Sequence, residues 1–475
     1  MLALFPEERP LYCPGSEPGA AVAESRLLYG GVYAQATTVI QRGGKVSRGV
    51  ARVRRDRLAD GLTTARLLQR IIRQSFYRSA SAFLDDAPVW GSLTGIRPAH
   101  VAAALIESGA SERAAAKTLE REYYVSPERA RLSVEAARVS VLLKQSLEPI
   151  DVALYVGIPF CPTRCAYCSF VSNSVDKSFD LIEPFMNTLA LETEAVSRMA
   201  GELGLRIVAL YIGGGTPTSL PEGTLETLMK SLGASFDLSH LREYTVEAGR
   251  PDTITAPKME LISRSGAGRV CVNPQSMSPD ILSAIGRKHT PDDVLAAVQL
   301  VRQCGVALNM DIIAGLPGDT AEGFRGTLDA ILSLAPENLT LHTLSLKKGS
   351  RIALEGTEIP GGKDVADMLD YASRRLRGSG YRPYYLYRQK FTSGGFENVG
   401  WSKPGHEGLY NVCMMEELCT VLALGGGGVT KLISGGGRIE RVFNAKYPRE
   451  YILKAGEIED KTKRIKGFLR EYSFI

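Results

Sequence analysis

A chain of 475 residues, 44% hydrophobic and 23% charged, can bury a large core, and this composition excludes intrinsic disorder. Its length points to two or three packed units. The net charge of +5, from 57 basic and 52 acidic residues, is too small to argue for nucleic acid binding. No stretch approaches the roughly 18 consecutive apolar residues of a bilayer crossing. Met1–Pro10 lacks the basic and then apolar pattern of a secretion signal. Eight cysteines in so long a chain do not make a disulfide framework, so a reducing cytoplasm is expected.

In chain order, residues from about 26 to 55 read as two strands, one ending near Ile40 and one over Val50–Val53, turning at Gly43 and Gly44. Helical spacing follows at Arg66–Tyr77, Pro98–Ser108 and Pro127–Leu143, so residues 1–148 are expected to form a small α+β domain. Over residues 149–350 short β-rich runs alternate with helical ones. The candidate strands are Ala153–Ile158, Ile207–Ile212, Tyr244–Ala248, Arg269–Asn273, Ala307–Ile313 and Leu339–Leu346. Ser219 with Glu222, and Thr290 with Asp293, put an oxygen cap three residues before a carboxylate, as helix starts require. Strand and helix repeated six times must pair in parallel through right-handed crossovers, which predicts an α/β fold with a partial (β/α)6 barrel. Residues 351–475 are less regular, with a helix at Val365–Arg377, a strand at Tyr384–Arg388 and glycine runs at Gly425–Gly428 and Gly435–Gly437. They read as a C-terminal substrate, lid or accessory region. The basic run Lys461, Lys463, Arg464 and Lys466 reads as a solvated helix face.

Immediately after the first barrel strand, Cys161, Cys165 and Cys168 put three thiols within eight residues. Cysteine arithmetic treats such a triple as a metal site. Three thiolates leave one position open, whether on zinc awaiting a distant fourth ligand or on an iron-sulfur cubane with one free iron. Downstream, Gly213-Gly-Gly-Thr216 follows the second strand, and glycine permits close approach of the backbone to a ligand. Glu247 ends the third strand, Gln275 follows the fourth and Asp311 lies in the fifth. Polar groups at the carboxyl edge of a barrel-like sheet outline a pocket. Of the five histidines, only His342 is expected near it.

Cysteines spaced three and then two residues apart, with Tyr167 just before the last, resemble the signature of the radical S-adenosylmethionine (SAM) enzymes. The resemblance implies a radical SAM barrel with a 4Fe-4S cluster on Cys161, Cys165 and Cys168, whose open iron takes the amine and carboxylate of SAM. Electron transfer then cleaves the sulfonium, and the 5′-deoxyadenosyl radical takes a hydrogen atom from the substrate. From Tyr155 to about Lys348 the chain looks like the oxygen-independent coproporphyrinogen III oxidases. It matches at Gly213-Gly-Gly-Thr-Pro-Thr218, Val246-Glu247, Pro274-Gln275, Gly286-Arg287 and Asp311-Ile-Ile-Ala-Gly-Leu-Pro317. Leu93–Pro98, Tyr384–Lys390 and Glu397–Gly400 look like the HemZ-type branch of that family.

By position, the resemblance implies that Tyr155, Gly214 and Glu247 contact the SAM on the cluster. Tyr167, Gly215, Thr216, Gln275, Arg287 and Asp311 match positions that hold a second SAM. It further implies oxidative decarboxylation of two propionates of coproporphyrinogen III to vinyls, with flavodoxin or ferredoxin as electron donor. Catalytic roles are expected of Arg388 and Tyr387, with Lys390 and Lys403 as further partners for propionates. Phe170 stands where those oxidases carry another cysteine, which the related heme chaperones also lack. Asn398-Val-Gly-Trp401 does not repeat the chaperones' His-Asn and Tyr-Trp pattern. Two activities are thus open: the decarboxylating oxidase, and a heme-binding chaperone that delivers heme without decarboxylation.

Overall fold

The computed structural model describes residues 21–168, 173–347, 349–389 and 392–472. The chain forms two compact units, Met1–Val134 and Glu135–Ile475.

In the first unit, β1 (Val22–Tyr29), β2 (Tyr33–Arg42) and β3 (Lys45–Arg54) form an antiparallel meander. Gly43 and Gly44 have φ of +53° and +75°, so the two central residues of the β2–β3 turn need glycine. β2 alternates buried and half-buried residues, which made it readable from the sequence. β1 is exposed along nearly its whole length, so no alternation announces it, and it is an addition to the two strands expected. Helices α1 (Gly61–Ala80), α2 (Pro98–Glu107), α3 (Glu112–Tyr123) and α4 (Pro127–Gln145) follow, with α4 running across the unit boundary. Asp60 caps α1 by accepting from the Thr63 amide, and Ser111 caps α3 in the same way through Ala114.

The second unit is built on β4 (Asp151–Ile158), β5 (Arg206–Gly214), β6 (Glu243–Glu247), β7 (Arg269–Gln275), β8 (Ala307–Ala314) and β9 (Asn338–Thr343). Each pairs in parallel with the next, as the strand and helix alternation requires. The connecting helices include α5 (Ile182–Glu202), α6 (Glu222–Ser235), α7 (Ala256–Arg264), α8 (Pro291–Gln303) and α9 (Ala321–Ser333). Val156, Leu210, Val246, Val272, Leu308 and Leu341, one from each strand, are all at most 2% exposed and form the core. Strands buried on both faces read as continuous apolar runs, and all six were legible for that reason.

The tail continues the same sheet. After α10 (Gly362–Gly378) come β10 (Arg382–Arg388), β11 (Glu397–Ser402), α11 (Leu409–Glu416), β12 (Thr420–Gly425), β13 (Val429–Ile433), β14 (Ile439–Phe443) and α12 (Ile458–Tyr472). The eleven strands lie in the order β10-β11-β9-β8-β7-β6-β5-β4-β12-β13-β14. β12 is a seventh parallel strand, set against β4, and β10, β11, β13 and β14 add antiparallel pairs at the two edges. Among the described residues no helix is long and apolar enough to cross a membrane.

Two local readings are corrected. Thr290 and Asp293 do form a reciprocal capping box on α8, but Ser219 caps nothing: its hydroxyl donates to the carbonyls of Thr216 (2.6 Å) and Phe160 (3.2 Å) and pins the loop after β5. Lys461 is not on a solvated face. Its ammonium lies 2.5 Å from Glu192 of α5, and both side chains are at least nine-tenths buried. Glu192 also accepts from the Gly425 amide (2.7 Å), the Tyr451 hydroxyl (2.6 Å) and Asn444 (3.0 Å). A buried carboxylate needs this full set of donors, and here they come from β12, from Asn444 just after β14 and from the helical segments that follow.

Candidate functional site

The loop leaving β4 carries the three thiols across the carboxyl edge of the sheet. Phe160 and Cys161 pair with residues 173 and 174 as a short parallel bridge, and the amides of Gly215 and Thr216 donate to Ile158 and Phe160 (both 2.7 Å). Beyond Cys161 the loop is anchored by Ala166 N to the Ile285 carbonyl (2.9 Å) and Cys168 N to the Cys165 carbonyl (3.1 Å). Cys161, Cys165 and Cys168 all border one cavity of about 610 Å³. Among the described residues no three His, Cys, Asp or Glu side chains stand close enough to hold a metal ion. A cubane takes each thiolate at a separate iron, so its ligands frame a shared void rather than meet at one point.

Gly215 supplies bare backbone on the facing wall. A Cβ there would stand 2.3 Å from the Phe160 carbonyl and 3.0 Å from the Cys161 sulfur. Gly215→Ala is therefore expected to displace the loop, at about 1–3 kcal/mol of overpacking, and to lower iron content several-fold. Gly223→Ala, in α6 where a Cβ meets nothing within 4 Å, should leave iron content unchanged and the melting temperature equal to wild type or slightly above it.

The strand ends carry polar groups into the same cavity. Glu247 closes β6 and accepts from the Tyr211 hydroxyl and from Asn273 Nδ2 (2.9 Å). Burial, and then the charge of Asp311, push its carboxyl up to about 7. Asp311 accepts from Asn309 Nδ2 (2.9 Å) and faces His342 Nε2 at 3.4 Å. It sits at a β-bulge: Met310 is opposite Val272 but Ile312 is opposite Gln275. Pro274 has no amide to give the ladder, and Gln275 takes φ of +69°, a conformation rare outside glycine. The extra residue of the bulge lies in β7, between Val272 and Gln275, while Asn309, Asp311 and Ile313 of β8 reach the cavity by the ordinary alternation of a strand. Burial pulls the His342 imidazole down, but its hydrogen bond to Asp311 and that residue's charge outweigh it and hold it above its ordinary value.

Arg287 is buried. It donates to the carbonyls of Asn273 (2.5 Å) and Gly249 (3.2 Å) and to the Tyr167 hydroxyl (2.9 Å). Its Nε, with Gln275 Oε1 and Asn273 Oδ1, has no protein partner although each is buried. One donor and two acceptors orphaned beside a single cavity form a site that a polar ligand completes. Tyr155, Tyr211 and Tyr410 stack on one another beside the cavity, with the closest ring centroids 4.4 Å apart.

Of the residues singled out in the sequence, Tyr155, Cys161, Cys165, Tyr167, Cys168, Gly214, Gly215, Thr216, Glu247, Gln275, Arg287, Asp311 and Tyr387 all border this cavity. The Tyr387 hydroxyl is 3.5 Å from His342 Nδ1, and burial raises its phenol to about 12. Arg388 is not among the lining residues; its guanidinium donates to the Gly395 carbonyl (2.9 and 3.1 Å), and burial lowers it to about 10. Lys403 stands at the other end of β9, on Glu337 (3.8 Å) and the Ala335 carbonyl (2.6 Å), away from the cavity. Lys390 and Phe170 lie outside the described residues. The sequence reading missed Tyr211, Arg250, Asn273 and Tyr410, which line the cavity too. Three of them lie within three residues of a site residue that was read, and that proximity was the available signal.

Residues 155–331 match the radical SAM superfamily. The oxygen-independent coproporphyrinogen-III oxidase-like protein HemZ of Bacillus subtilis is 38% identical over 369 residues, 76% of this chain and 74% of that protein. The heme chaperone HemW of Escherichia coli is 25% identical over 333 residues, 68% of this chain and 83% of that protein. The solved structure of the E. coli coproporphyrinogen III oxidase HemN, described as a radical SAM enzyme, overlays with a TM-score of 0.52 at 22% identity, over 67% of this chain and 72% of that one, and so shares the fold. The chain thus belongs to the radical SAM superfamily, in its family of oxygen-independent coproporphyrinogen-III oxidase-like proteins.

Proposed function

We propose that this protein is a cytoplasmic, SAM-dependent oxidase that converts propionates of coproporphyrinogen III to vinyls without oxygen. The observation that carries the reading is one cavity bordered at once by three thiols from a single loop, by the carboxyls of Glu247 and Asp311, and by three orphaned polar atoms. Cys161, Cys165 and Cys168 would hold the 4Fe-4S cluster, leaving one iron open. When bound, cluster and SAM supply one-electron cleavage of a sulfonium and, from it, a hydrogen-abstracting carbon radical.

The protein's own part is placement. Glu247 and Asp311 offer carboxylates to an amine, a sulfonium or ribose hydroxyls, while Arg287 Nε offers a donor to a carboxylate. Tyr155, Gly214 and Glu247 would contact the SAM on the cluster. Tyr167, Gly215, Thr216, Gln275, Arg287 and Asp311 would contact a second. Tyr387, held by His342, lines the same cavity and would face the substrate, with Arg388 behind it steadying the turn at Gly395. Each propionate would lose one hydrogen atom, carbon dioxide and one further electron to an external acceptor; flavodoxin or ferredoxin would supply the electron that starts each cleavage.

Anaerobically reconstituted protein given coproporphyrinogen III, SAM and a reductant is expected to yield protoporphyrinogen IX and 5′-deoxyadenosine. Deoxyadenosine without a vinyl product sinks the substrate claim. Stoichiometric heme binding with transfer to an apo-acceptor, and no vinyl product, replaces it with the chaperone activity.

A further inference from the structure

We infer that Arg250 is a positioning residue for the cluster: its guanidinium bonds the Cys165 sulfur, fixes the cysteine loop and raises the potential at which the cluster accepts its electron. The inference rests on the cluster reading above and adds a residue outside the three thiols to it.

Arg250 follows β6 by three residues and is 2% exposed. Its Nη1 lies 3.8 Å from Cys165 Sγ, and the same nitrogen donates to Thr163 Oγ1 (2.9 Å) and to the Thr163 carbonyl (3.4 Å). Thr163 lies between Cys161 and Cys165, so one side chain from the third barrel strand grips the metal loop at three atoms. The other edge of the guanidinium is held by Asp252, at 3.1 Å from Nε and 3.2 Å from Nη2. A buried cation with so many fixed partners cannot swing away, and its direction toward the sulfur is set before any cluster arrives.

The electrostatic consequence has a definite sign. A reduced cluster carries one more negative charge than an oxidised one. A donor and a positive charge held against a ligand sulfur stabilise that form, and hydrogen bonds to cluster sulfurs are among the terms that set such potentials. Asp252 is partly exposed, so water screens its opposing charge more than it screens the buried guanidinium.

The test is redox potentiometry followed by electron paramagnetic resonance on anaerobically reconstituted wild type, Arg250→Gln and Arg250→Lys, with iron and sulfide measured on each sample. Arg250→Gln is expected to move the midpoint to more negative potential by about 59 mV, a tenfold smaller reduced fraction at a fixed donor potential. Arg250→Lys keeps the charge and should recover at least half of that shift. A wild-type midpoint in an Arg250→Gln sample with full iron overturns the inference, as does an equal shift in both variants. Should Arg250→Gln hold no iron, full loading of Arg250→Lys with a midpoint near wild type supports the charge argument; failure of both to load overturns it. Absence of iron and sulfide from the wild type itself would instead sink the cluster reading, and the two failures are thereby distinct.

Discussion

Cys168→Ala is expected to fold like the wild type and to lose the cluster outright: iron and sulfide near zero after anaerobic reconstitution, no iron-sulfur absorbance, and SAM cleavage reduced at least ~1000-fold. Cys168 is half-buried and borders the cavity, so its removal costs little packing. A cubane held by three thiolates loses a third of its anchorage and exposes a second iron. Cys304→Ser supplies the control, because that thiol lies at the C-cap of α8 and outside the cavity, and it should reconstitute fully. Equal loading of the two variants would remove the loop from the chemistry. Circular dichroism of the apo forms checks that neither result reflects misfolding.

Glu247→Gln should separate stability from ligand binding. The folded carboxyl titrates near 7 against an ordinary value of 4.5, so between those values the native state binds the extra proton. Stability from this group is fully present below 4.5 and falls as pH rises through about 7, because the charged form is disfavoured by burial and by Asp311. The amide variant carries no such term. At pH 8 its apo form is expected to melt a few degrees above wild type, with the gap closing toward pH 5. A cationic amine or sulfonium pairs only with the ionised acid, so wild-type affinity for SAM should rise with pH up to about 7.5. Binding near pH 7 should also release a proton, which calorimetry in buffers of different ionisation enthalpy detects. The variant should bind SAM about 30-fold more weakly, the scale of losing one charged partner from a buried contact, with no proton release. A pH-independent affinity in the wild type would remove Glu247 from that role.

The six parallel strands were legible because strands covered on both faces leave apolar runs, and because glycine and polar residues accumulate at their carboxyl ends. β12 was hidden for a different reason. Thr420–Gly425 looks like the other buried strands, but it pairs with β4, some 270 residues earlier, and no local signal carries a pairing of that reach. Its terminal Gly425, at φ of +81°, would with a Cβ meet the Gly157 carbonyl at 2.2 Å, so the glycine run marks a close approach of two backbones. Arg250 and Lys461 were missed as site or core residues because a basic side chain reads as solvated until its buried partners are known, and those partners, Cys165 and Glu192, come from distant segments. Tyr211 and Asn273 were passed over as ordinary strand residues; their value lies in presenting donors to Glu247 from the neighbouring strands β5 and β7.

The pairing of β12 with β4 has a bearing on the order of biogenesis. The strand that launches the thiol loop keeps one bare edge while hundreds of later residues are still being made, and only the arrival of Thr420–Gly425, pinned through Glu192 by the last helix, shields it. Covering of that edge thus waits on the segments that carry Thr420–Gly425 and Lys461, and a chain truncated before them would present an unpaired edge of β4 to its neighbours.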